Sequence, residues 1–158
     1  MIKKEPDQLL IKDGIKRIFL SMSRRKCIGC HIGEDGRMVD DLDENQIEIC
    51  FRQDDEHGWG AGGGEYVSTS DIKAMADCIR GVICMKLARA EYACQKDLFR
   101  IILEYDSDKG TYTFTAALIN MLTWDYHITI TMNDLTKNAL DEYIQPFFEW
   151  EREFPIVE

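Results

Sequence analysis

The chain has 158 residues, 45% of them hydrophobic, and its 19 basic against 29 acidic residues leave a net charge of -10. That length suits one domain, residues 1–158, able to bury about two thirds of the surface its unfolded form exposes, so no disulfide framework is required. The charge argues against a general affinity for phosphate backbones or anionic lipid, and apolar runs such as 15–22 and 116–122 fall short of the roughly 20 residues that cross a bilayer.

Residues 1–8 read as a loose terminus: two lysines have no apolar segment behind them, so they are no secretory signal, and Pro6 interrupts them. A cytoplasmic location follows, in which the six cysteines (27, 30, 50, 78, 84, 94) are most simply free thiols. Asp13-Gly14 lies between LLIK and IKRIFL and predicts a hairpin, because that pair tolerates positive φ; Gly14 would cost the rival helix about 1 kcal/mol. Residues 24–45 change character, with RRK, two cysteines and the acidic cluster Asp40, Asp41, Asp43 and Glu44, and read as a long loop or insert.

Ile47, Ile49 and Phe51 alternate with polar neighbours as a strand should. Residues 54–64, DDEHGWGAGGG, hold five glycines in the last seven positions and predict an exposed loop. Ser68, Thr69 and Ser70 offer an N-cap to a helix with Ile72, Met75, Ala76, Ile79, Ile83 and Leu87 inward, and residues 89–96 connect onward.

Phe99, Ile101, Leu103 and Tyr105 alternate along one strand and Tyr112, Phe114, Ala116 and Leu118 along the next. Pairing Tyr105 with Tyr112 also sets Leu103 opposite Phe114 and Ile101 opposite Ala116, so one register buries one face. Tyr126, Ile128, Ile130 and Met132 extend this meander. Asn133 would cap a last helix with Leu135, Ala139, Leu140, Tyr143, Ile144, Phe147 and Phe148 inward, and Pro146 should kink or break it. The expected fold is α+β: an antiparallel β-sheet, a meander in its C-terminal half, with two α-helices packed on one face and no internal repeat.

Local motifs are weak guides to chemistry. Cys27-Ile28-Gly29-Cys30-His31 matches a haem-attachment signature, but there is no export signal; a zinc site there lacks a second close pair of ligands. Gly58 to Gly63 fits G-x-G-x-x-G, yet the helix it should open begins several residues later. Asp41, Asp43 and Asn45 resemble a calcium loop, but Gln46 stands where glycine is needed and Arg52 where the closing glutamate should be. No histidine has a serine, cysteine or carboxylate placed beside it by local sequence in a way that suggests a triad or an acid/base pair, so no catalytic residue, cofactor or metal is expected.

The segments IEICFRQ, EYVSTSDIKAMADCIRGV, LFRIILEYDSDKGTYTFTAAL and YHITITMNDLTKNALDEYIQPFFEWEREFP, within residues 47–155, resemble the WapI-type immunity proteins of bacterial polymorphic toxins. The resemblance implies a small cytoplasmic binding protein, not an enzyme, that neutralises a cognate toxin domain by occlusion. Many such toxins act on nucleic acid and would be basic, which an acidic surface complements. The expected contacts are Asp54, Asp55, Glu56 and Trp59, with Asp40, Asp41 and Asp43 as a second patch. The expected partner is a basic toxin domain, with no nucleic acid and no membrane. The alternative is a small-ligand or metal-binding regulator using Cys27, Cys30 and His31 or the glycine-rich segment.

Overall fold

The computed structural model describes residues 8–24, 29–41, 45–55, 58–94, 99–118 and 128–157. The α+β expectation holds, with all strand pairing antiparallel, but the strands are distributed over two four-stranded sheets and a separate hairpin.

The first sheet contains β1 (Gln8–Asp13), β2 (Lys16–Arg24), β5 (Gln46–Asp55) and β6 (Gly58–Ser68), in the order β1-β2-β5-β6. Asp13 pairs with Lys16 around Gly14, whose φ of 60° is the left-handed value the turn needs. Between β2 and β5 lies a two-stranded ladder of β3 (Gly29–Ile32) and β4 (Met38–Asp41). Residues 24–45 are therefore not simply a loop. Gly36 at φ 78°, with the Gly33 N–H donating to the Arg37 carbonyl, closes the turn that reverses the chain there.

A larger correction concerns the described part of residues 54–64: it is strand and not loop, β6 running alongside β5 from the Asp55–Gly58 pair to the Gln46–Ser68 pair. Glycine has poor strand preference, but the partner strand supplies the ladder bonds, and a register shift opposite Ile49 and Phe51 accommodates one extra residue.

Helix α1 (Thr69–Ile83) begins as expected at Ser68. The Ser68 hydroxyl accepts from the Asp71 N–H and the Asp71 carboxylate accepts from the Ser68 N–H. The Tyr92 hydroxyl also donates to Asp71. Ile83 is only half-buried, and Leu87 lies past the helix and is exposed, because the chain turns at Cys84 and at Met85, φ 61°.

The second sheet, ordered β10-β9-β8-β7, comprises β7 (Arg89–Ala93), β8 (Phe99–Asp106), β9 (Thr111–Leu118) and β10 (Ile128–Leu135). The expected register is found: Tyr105 opposite Tyr112, Leu103 opposite Phe114, Ile101 opposite Ala116. Strand β7 replaces the expected connector, its Arg89 pairing outward with Glu104. Helix α2 (Lys137–Glu153) is capped by Thr136, not Asn133, since β10 continues to Leu135. The helix runs unbroken through Pro146; burial of Leu140, Ile144, Phe147 and Trp150 outweighs the one ladder bond proline cannot make.

Although no repeat is visible in the residues themselves, four sheet strands followed by a helix occur twice. Counted from the N-caps Ser68 and Thr136, positions four, eight, eleven and fourteen are buried in both helices: Ile72, Ala76, Ile79 and Val82 in one, Leu140, Ile144, Phe147 and Trp150 in the other. The 3.6-residue period fixes where the buried face lies without fixing which apolar residue fills it. The helices pack on each other and on the second sheet, and β1 reaches both β10 and α2, giving one continuous core. Phe147 is central to it, its ring 6.5 Å from Phe99, 6.3 Å from Phe114 and 5.4 Å from Trp150.

Candidate functional site

The residues expected to contact a partner do not form one described patch. Asp54 lies in β5 with 17% of its side chain exposed, 3.5 Å from Arg17 and 3.6 Å from Arg52, so its charge is compensated within the sheet. Asp55 ends β5, and Trp59 is the β6 partner of Asp54. Asp40 and Asp41 lie on β4, opposite Cys30 and Gly29. Asp43, Glu56 and Cys27 lie outside the described residues. His31 is exposed on β3 opposite Val39, and among the described residues no three His, Cys, Asp or Glu side chains converge as metal ligands would.

A better-formed site lies where α1, the end of α2 and the C-terminal tail meet. Thr69, Lys73 and Arg80 of α1, Glu151 of α2, and Phe154, Pro155 and Ile156 of the tail line a cavity of about 410 Å³. Its lower wall is apolar and its rim is charged. One turn of helix separates Lys73 from Asp77, and Arg80 follows three residues later, so all three project from one face. Asp77 accepts hydrogen bonds from both cations, and Arg80 also forms a two-pronged pair with Glu151. The Arg80 guanidinium lies 5.1 Å from the centre of the Phe148 ring.

These contacts shift the ionisation of the rim. The bond from Arg80 holds the Glu151 carboxyl below its ordinary range. The bond from Lys73 does the same for Asp77; burial opposes it, and Arg80 adds a smaller lowering. Glu151 in turn raises the guanidinium pKa of Arg80. Glu151, Asp77 and Arg80 are thus each held in their charged forms, with Asp77 shared between two cations. Lys73 can leave without stranding Asp77, because Arg80 still holds that carboxylate.

The tail wall is fixed by Asn45. Its side-chain amide donates to the Val157 carbonyl at 2.7 Å, its amide oxygen accepts from the Val157 N–H at 2.7 Å, and the same oxygen accepts from the hydroxyl of buried Thr69 at 2.8 Å. A second depression, lined by Arg89, Glu104, Tyr105, Asp106, Ser107 and Thr113 among others, is already occupied by its own interactions. Arg89 pairs with Glu91 and Glu104, and Asp106 accepts from the Asp108 and Lys109 N–H groups.

No protein-family model matches this chain, and no curated protein matches it. Among solved structures, it resembles WHY1 from Arabidopsis thaliana at a TM-score of 0.43 and 13% identity, over 91% of this chain and 87% of that one. It also resembles a structure described as the plant transcriptional regulator PBF-2 at a TM-score of 0.46 and 12% identity, over 96% of this chain and 90% of that one. Neither is described as an immunity protein. The expected toxin-neutralising function, the basic toxin partner and the exclusion of nucleic acid are not upheld: the solved structures that the chain resembles carry other descriptions. At these TM-scores the likeness assigns no activity to this chain. Among the described residues no helix is long and apolar enough to cross a membrane.

Proposed function

We propose that the chain is a cytoplasmic small-ligand-binding protein whose site is the cavity between α1, α2 and the tail, and that its ligand is a compact apolar molecule bearing one anionic group. The observation that carries this reading is an apolar wall of Phe154, Pro155 and Ile156 beneath a rim of ionised groups, one of which, Lys73, can change partners without leaving a charge unpaired. A volume of about 410 Å³ falls in the range of natural ligand cavities, and perturbed ionisable groups gathered at a cavity are a mark of such sites. The apolar body would cover the tail wall while the anion meets the Lys73 ammonium. Free thiols at Cys50, Cys78, Cys84 and Cys94 fit a reducing compartment.

Anilinonaphthalene sulfonate, an aromatic body with one sulfonate, is a suitable probe. Its fluorescence should rise saturably at one site per chain. Ile156→Glu should abolish the rise, and Lys73→Gln should weaken binding roughly tenfold, about 1.4 kcal/mol, with the protein still folded by circular dichroism. A folded wild-type protein that gives no enhancement at about 1 mM probe, or variants that bind as the wild type does, would overturn the proposal.

A further inference from the structure

Between two anchors the tail runs along the cavity and lines it. Phe154 is 4% exposed and belongs to the core, whereas Pro155 and Ile156 are exposed, Ile156 at 46%. Beyond them, the Val157 N–H and C=O are both taken by the Asn45 amide. The two groups that would extend a strand are satisfied by one side chain that mimics a backbone amide. Asn45 also ties this clasp to the first residue of α1, since its own carbonyl accepts from the Thr69 N–H and its amide oxygen from the Thr69 hydroxyl. A residue just ahead of β5 thus holds together both sides of the cavity, the α1 N-terminus and the tail.

We infer that Asn45 is a positioning residue for ligand binding: by clasping Val157 it holds Pro155 and Ile156 in place as the cavity's apolar wall, so that loosening the clasp loosens the hold on the ligand. The inference rests on the small-ligand reading above. The position needs both a donor and an acceptor, which a side-chain amide supplies. Aspartate would keep the acceptor for the Val157 N–H but turn the donor towards the Val157 carbonyl into a second acceptor, and alanine would remove both. Thr69 reaches the clasp but touches neither Val157 group, so Thr69→Val should loosen it less.

The test is stopped-flow exchange of anilinonaphthalene sulfonate with the full chain. Asn45→Ala should speed dissociation roughly tenfold and Thr69→Val by a smaller factor. Ile130→Val, which trims the core at β10, away from the cavity lining, should be destabilised yet release the probe at the wild-type rate. Hydrogen exchange at the Val157 amide should accelerate in Asn45→Ala whether or not probe is present. If the wild type binds the probe but Asn45→Ala releases it no faster, or if Ile130→Val speeds release equally, the inference fails while the binding site stands. Failure of the wild type to bind at all would fall on the small-ligand reading, and exchange at Val157 would still report on the clasp.

Discussion

Gln53 offers the sharpest test of the energetics. It lies in β5 between Ile18 of β2 and Gly60 of β6, with 1% of its surface exposed, and among the described residues neither its amide nitrogen nor its amide oxygen has a hydrogen-bond partner. A buried polar group without a partner costs about 1–3 kcal/mol, whereas an apolar group of the same shape does not incur that loss. Methionine matches glutamine closely in length and volume, and volume-conserving changes are the ones cores tolerate. Gln53→Met should therefore stabilise the protein by about 1–3 kcal/mol, even though glutamine is the native residue. Urea unfolding followed by circular dichroism should show a raised midpoint at unchanged slope, and the melting temperature should rise by roughly 2–4 °C per kcal/mol. Gln53→Glu would bury a charge at the same place and should destabilise strongly. A methionine variant no more stable than the wild type would refute the reasoning.

Other perturbations follow from the core and the rim. Phe147→Ala removes the ring shared by Phe99, Phe114 and Trp150 and should cost about 3–5 kcal/mol in urea unfolding; a loss under about 1 kcal/mol would mean the aromatic cluster is not the centre of the core. Glu151 has a carboxyl pKa held below its usual 4.5, so its pairing with Arg80 stabilises the fold above that pH and is lost as pH falls further. Because the pair is partly exposed, Glu151→Gln should cost only about 0.5–1 kcal/mol at pH 7, and the difference between the two proteins should shrink as the pH falls below 4.5. A difference that persists or grows in acid would contradict this sign. The Tyr92 hydroxyl is pushed well above the usual tyrosine range by burial and then by its bond to Asp71, so its contribution is complete below pH 10 and declines only in stronger alkali. Tyr92→Phe should accordingly remove about 1 kcal/mol throughout the neutral range in urea titrations.

What could be read from the residues was whatever local pattern dictates. The β8–β9 register follows from strict alternation, the β1–β2 hairpin from Asp13-Gly14, and the start of α1 from Ser68 and Asp71. Strand β6 was hidden because its glycines carry no pattern of their own, and its pairing is dictated by β5. The α2 cap was misplaced at Asn133 because β10 extends two residues beyond it, with Asp134 at φ 55° before Thr136 takes the cap. The cavity was not legible at all. It joins residues 69–80 to residues 151–156, and its clasp spans 112 positions between Asn45 and Val157. Only the spacing of Lys73, Asp77 and Arg80 on one helical face, and the aromatic-proline tail at Phe154 and Pro155, could have drawn notice beforehand. Neither says that the other is its neighbour.

Titration of isotope-labelled protein with octanoate, an apolar chain ending in one carboxylate, tests most directly whether this cavity binds such molecules. Saturable amide shifts confined to Thr69, Lys73, Arg80, Glu151, Phe154 and Ile156 by about 1 mM ligand, with residues of β9 and β10 unmoved, are the expected result. Shifts scattered over both sheets, or none at that concentration, would contradict the account.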